Sequence, residues 1–238
     1  MTMKLAENII ERNCVEYEIY NELLVLDGKR MLELGCGTAE LTRAIASEGK
    51  NRNITALEVD ERQHQKNLQI TDLPNVSFQL GGAEAIPLGD QSQDIVFMFK
   101  SLHHVVENKL DQAMQEIHRV LLPGGMAYIS EPIFMGKFND ILRLFHDEQY
   151  VRQAAFNAIQ RSIKKGLFTL ASEIFFNTTV RFENFADFEN KLLNVTHTDH
   201  QLSAEIYREV SLRFEHQLTA SGAQFTTPMR VDLLRKSL

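Results

Sequence analysis

Cysteine occurs only twice, at Cys14 and Cys36, too few for a disulfide framework or a four-ligand thiolate zinc site. The expectation is an intracellular protein with reduced thiols. Basic residues are also scarce, 25 Lys and Arg against 32 Asp and Glu, which leaves a formal charge of -7. A nucleic acid partner is therefore not expected, because phosphate binding relies on clustered cations. No run of 18 consecutive apolar residues occurs, and the opening MTMKLAENIIERN is charged and amphipathic. Neither a membrane span nor a leader is expected, and the location that follows is cytoplasmic. Repeats, low-complexity runs and linkers are missing too, so residues 1–238 are read as one α/β domain.

What is present is enough apolar material for a buried core, 44% of the chain. From Asn8 to Leu26 the apolar residues Ile9, Ile10, Val15, Tyr20, Leu23 and Leu24 fall at helical spacing, so residues 1–28 are read as a lead-in helix. Between Met31 and Glu131 the β-rich runs MLELG, ITALEV, VSFQL, DIVFMF and GMAYISE alternate with helix-length segments. Such alternation implies βαβ units and a parallel sheet, here over residues 29–132. The spacing predicts helices at about Glu40 to Ser47, Glu61 to Ile70 and Asp111 to Leu121, the last stopped by Pro123, Gly124 and Gly125. An aromatic stretch at 133–176 reads as a helical insertion packed as a lid. Residues 177–238 supply the rest: a sixth strand in EIFFNTTVRF, helices at Phe185 to Leu193 and Ala204 to Leu218, and a final strand in MRVDLLRK.

The run MLELGCGTAELT, Met31 to Thr42, is a strand entering a glycine-rich turn that opens a helix. Gly35 and Gly37 let backbone approach a ligand, and a helix start presents free N–H groups. Glu58 ends the second strand, where a carboxylate can accept both hydroxyl protons of a ribose. A nicotinamide dehydrogenase fingerprint wants Gly or Ala where Glu40 stands, and that carboxylate would repel a diphosphate. Glu33 adds a second acid at the same strand end, which suits a cationic ligand.

The segment Glu33 to Thr42 resembles the glycine motif of class I, Rossmann-like S-adenosylmethionine-dependent methyltransferases, of the type 11 or type 25 kind, and the similarity extends to about Glu131. The resemblance implies a doubly wound, seven-stranded, mostly parallel sheet with an antiparallel last strand and a helical insertion after strand five. It implies S-adenosylmethionine as cofactor and S-adenosylhomocysteine as product. Glu33, Gly35, Cys36 and Gly37 would meet the cofactor at the first turn, Glu58 and Val59 at the ribose, and Gly82, Ala83 and Glu84 at the adenine. Ala39 stands where many members have Gly, Gly82 where an Asp is frequent, and Gln93 where an aromatic is usual.

Lys100 and His103 follow strand four on the carboxyl edge of the sheet, and Glu131 ends strand five on the same edge. His103 is the first candidate for a base or acceptor contact, Lys100 for an anionic acceptor or the cofactor carboxylate, and Glu131 for the acceptor side. The pair in HTDH, His197 to His200, has no further ligand nearby in sequence, so no metal is expected. The expected function is methyl transfer to a small molecule. Methylation of a protein or transfer RNA, a cofactor-binding protein without turnover, and a homodimer stay open.

Overall fold

A computed structural model describes residues 3–194 and 202–237. In chain order it contains α1 (Glu16–Leu23), β1 (Arg30–Leu34), α2 (Glu40–Ser47), β2 (Asn53–Glu58), α3 (Glu61–Asn67), β3 (Val76–Leu80), β4 (Gln93–Phe99), α4 (Leu110–Val120) and β5 (Leu121–Pro132). There follow α5 (Lys137–Leu142), α6 (Gln149–Lys164), β6 (Phe168–Phe182), α7 (Phe185–Phe188), α8 (Ala204–Glu215), β7 (Leu218–Thr219) and β8 (Gly222–Lys236).

The strands form one sheet in the order β3-β2-β1-β4-β5-β8-β6, with the two-residue β7 paired to β8. β1 to β5 run parallel, and β8 inserts antiparallel between β5 and β6. The seven long strands and their directions agree with the expected Rossmann-like sheet. The order reverses beside β1, so the ligand crevice of an open α/β sheet is expected at the carboxyl ends of β1 and β4.

Apolar faces explain the layers. On one side α4 and α6 bury Ala113, Ile117, Ala155 and Ile159 against Leu32, Val96 and Ile129. On the other, Ile19 and Tyr20 of α1 and Ile45 of α2 cover Phe97, Phe99 and Tyr128. The rings of Phe97 and Phe99 stack at 5.2 Å, and Tyr20 meets Phe97 edge-on at 6.1 Å. A third cluster, with Phe138, Phe182, Phe188, Phe214 and Phe225, joins α5, α7 and α8 to the far halves of β6 and β8.

Two boundaries depart from the sequence reading. The lead-in helix is confined to α1, because the residues before it pair with the sheet: Asn177 N–H donates to Arg12 O (2.7 Å), Cys14 N–H to Asn177 O (3.0 Å), and Asn177 Nδ2 to Ile10 O (2.8 Å). The apolar residues at helical spacing are thus overridden by a strand-edge partner far away in sequence. The sixth strand begins at Phe168 rather than Glu173, since the backbone from Phe168 onward pairs with β8. The helical part of the insertion is therefore α5 and α6, and α6 belongs to the helix layer beside α4.

Candidate cofactor and acceptor site

β1 delivers the glycine turn. Gly35 (φ 73°) and Gly37 (φ 51°) occupy the left-handed region, and a Cβ on Gly35 would lie 2.8 Å from Ser101 Cβ. Nothing lies within 4 Å of the corresponding point on Gly37, so the turn has open space on the ligand side. Ala39 adopts φ 61°, a left-handed conformation that glycine reaches more readily than a residue with a Cβ. Cys36 is buried, and its sulfur and the Gly37 carbonyl receive Asn67 Nδ2 at 3.5 and 2.8 Å.

Two carboxyl groups face this turn. Glu58 is buried at the end of β2, where Oε2 accepts the Gly37 N–H (2.7 Å) and Oε1 accepts those of Val59 (2.8 Å) and Asp60 (2.9 Å). The carboxylate holds about four acceptor sites, so at least one on Oε2 stays open to a ligand hydroxyl. Val59 beside it is 64% exposed, an apolar side chain at the mouth of the cleft. Glu33 is buried on β1 and accepts the Thr42 hydroxyl at 2.6 Å. Burial, reinforced by the nearby Glu58, pushes its pKa up to about 8, so it is neutral at pH 7 until a cation arrives.

Beyond β3, Ala83 is buried and the Glu84 carboxylate turns back over Gly82. An Oε2 of Glu84 lies only 2.5 Å from where a Cβ on Gly82 would be. Gly82 is thus small because Glu84 fills the space a longer side chain would take.

The second half of the site is a cavity of about 230 Å³ lined by Lys100, His103, His104, Phe138, Glu148 and Arg152, among others. Lys100 ends β4 with φ 54° and its N–H on Ser130 O (2.7 Å). His103 is buried, with Nδ1 in a short contact to Glu131 Oε2, while Glu131 Oε1 accepts the Leu102 N–H (2.9 Å). Nε2 of His103 faces Glu148 Oε1 at 3.6 Å. Burial alone would lower the His103 pKa, but the carboxylates of Glu131 and Glu148 outweigh it and raise it to about 9. His103 therefore holds a proton at neutral pH and is unsuited to the base role expected of it. Glu131 is buried behind His103 rather than facing the acceptor side; burial would raise its pKa, but the charged His103 holds it below the usual range. His104, at the rim with its ring centroid 4.1 Å from that of His103, has its pKa lowered by partial burial and by the charge on His103. The neutral imidazole of the cavity is thus His104.

Glu148 and Arg152 were not singled out from sequence. Arg152 Nη2 and Nε donate to Glu148 Oε2 at 2.5 and 3.1 Å, and His146 Nε2 lies 2.9 Å from Oε1. The HTDH segment lies outside the described residues.

Comparison with known proteins agrees with this geometry. Residues 32–129 match a family model described as a methyltransferase domain. Methyltransferase GfsG of Streptomyces halstedii is 30% identical over 52% of this chain and 45% of its own length. A demethylmenaquinone methyltransferase of Staphylococcus epidermidis is 28% identical over 63% of this chain and 70% of its own. The chain spans under half the length of the first two curated relatives it matches. The fold is shared with the YcgJ protein of Bacillus subtilis (TM-score 0.65, 16% identity, covering 93% and 97% of the two chains). It is also shared with the [4+2]-cyclase SpnF (TM-score 0.59, 20% identity, covering 93% and 79%). Among the described residues no helix is long and apolar enough to cross a membrane. Residues 32–129 are thus similar to a methyltransferase domain, set in a fold shared with solved Rossmann-like structures.

Proposed function

We propose that this protein transfers a methyl group from S-adenosylmethionine to a small-molecule acceptor. One observation carries the cofactor assignment: the cleft at β1 and β2 is lined by carboxyl groups, Glu33 and Glu58, with no cation paired to them among the described residues. That lining favours a ligand bearing sulfonium and ammonium charge and opposes a diphosphate. Glu58 accepts ribose hydroxyls, Val59 covers the cofactor's apolar face, and the main chain of Gly35, Cys36 and Gly37 leaves room for its amino acid end. Glu84, folded over Gly82 beside Ala83, offers its carboxylate to the adenine amine.

When bound, the cofactor supplies an electrophilic methyl group. Because charge is dispersed in such a transfer, the protein contributes mainly positioning and exclusion of water. His103, clamped by Glu131, is a positioning residue, and His104 and Lys100 are the polar groups that face the acceptor. The cavity of about 230 Å³, enclosed by α5 and α6, suits a small acceptor better than a macromolecule. The net negative charge argues the same way.

The test is a panel of hydroxylated and quinol-type acceptors, read by formation of S-adenosylhomocysteine and a methylated product. His104→Ala is expected to lower turnover about 100-fold with unchanged cofactor affinity; unchanged turnover would remove His104 from the site. The likeness to SpnF motivates a second reading, cofactor binding without methyl transfer. Conversion of a test compound to an unmethylated product, with no rise in S-adenosylhomocysteine, would favour it.

A further inference from the structure

Within the acceptor cavity His103 and His104 converge with Glu148, a residue to which the methyl-transfer reading gives no role. A ring nitrogen of His103, a ring nitrogen of His104 and a carboxylate oxygen of Glu148 all lie within 4.8 Å of one another. The His103 Nε2 to Glu148 Oε1 separation of 3.6 Å is too long for a hydrogen bond. It is close to the separation of about 3.4 Å between two ligands that share a tetrahedral ion with bonds of roughly 2.1 Å. His103 cannot swing away, because Glu131 grips Nδ1 and is itself held by the Leu102 N–H. A histidine whose second nitrogen is bound by a buried carboxylate has the arrangement found behind metal-ligating imidazoles, with its tautomer and ring orientation fixed. Glu148 is likewise steered by Arg152 on Oε2, and Oε1 is shared with His146. His104 is exposed at the rim, its ring centroid 4.1 Å from that of His103.

From this we infer that His103, His104 and Glu148 form a binding site for a divalent transition-metal cation of the zinc kind, with Glu131 as its outer support; the ion takes the place of the proton on His103 Nε2, which is released to solvent. Two nitrogens and one carboxylate leave at least one coordination position open, the pattern of sites that receive a substrate oxygen. That position faces the cavity, so His104 would meet the acceptor through the ion, and the favoured acceptor would present an oxygen donor. The use of the ion in the reaction rests on the methyl-transfer reading; binding of the ion does not.

The experiment is a titration of the full chain with cobalt(II), followed by visible absorption, with zinc(II) as competitor. The inference predicts one ion per chain, absorption bands of a low-coordinate cobalt site, and their loss on adding zinc. His104→Ala, which removes an accessible side chain, and Glu148→Gln should each abolish the bands, and Glu131→Gln should weaken binding about 10- to 100-fold. No binding to the unaltered chain, or bands that survive both His104→Ala and Glu148→Gln, would overturn it. Cofactor binding titrated on the same samples reports on Glu58, so failure of the metal site and failure of the methyltransferase reading are told apart.

Discussion

Glu33 has a buried carboxyl group that accepts the Thr42 hydroxyl. In the unfolded chain it loses its proton near 4.5, and in the folded protein near 8. Between these values the folded state binds more protons, so stability falls as pH rises through the window, by up to about 1.4 kcal/mol per pH unit. Glu33→Gln removes this dependence: urea unfolding measured from about pH 5 to about pH 9 is expected to show a shallower decline than the parent. Equal declines would mean that Glu33 ionises normally. Gly35→Ala tests the turn itself, because the added methyl meets Ser101 at 2.8 Å in a left-handed backbone. It is expected to cost about 2 kcal/mol or more in unfolding free energy, read by the same denaturation. Residues 33 to 58 were legible in sequence because the glycine turn and the strand-end acid are local signals. Glu148 and Arg152 were not, since Glu148 meets His103 from the start of α6, and Arg152 meets Glu148 from within it, in a helix whose own sequence carries only an ordinary amphipathic pattern.

At the scale of elements, the central strands were readable from short β-branched and aromatic runs between turn signals, and β3 emerged with its expected ends. Errors fell where a partner distant in sequence decides the conformation. Residues 8–15 repeat apolar side chains at helical spacing, yet Asn177 draws their backbone into pairing with β6. The aromatic stretch was read as a helical insertion packed as a lid. In the fold its rings divide between uses: Phe138 lines the cavity and packs on Phe225 at 5.3 Å, Phe156 lies under the Arg230 guanidinium at 4.4 Å, and Phe168 is core. Phe182 contacts Phe138, Phe188, Phe214 and Phe225, joining α5, α7 and α8 to the sheet. Phe182→Ala should therefore destabilise the protein by about 3–5 kcal/mol in chemical denaturation. A loss well under 1 kcal/mol would show that these helices are not fastened through this ring.

For the whole molecule, one sheet brings together groups from distant parts of the chain. The carboxyl ends of β1 and β2 carry the acids of the cofactor cleft, and the ends of β4 and β5, capped by α5 and α6, carry the acceptor cavity. Charge divides the two: carboxyl groups line the first, while Lys100, the imidazoles and Arg152 crowd the second around Glu148. The central claim is that the first of these clefts takes a sulfonium nucleoside. Parallel calorimetric titration with S-adenosylmethionine, S-adenosylhomocysteine and NAD, on the parent and on Glu58→Ala, tests it most directly. The account predicts binding of the first two by the parent, none of NAD, and loss of both by a folded Glu58→Ala. Binding of NAD alone, or undiminished cofactor binding by Glu58→Ala, would contradict it.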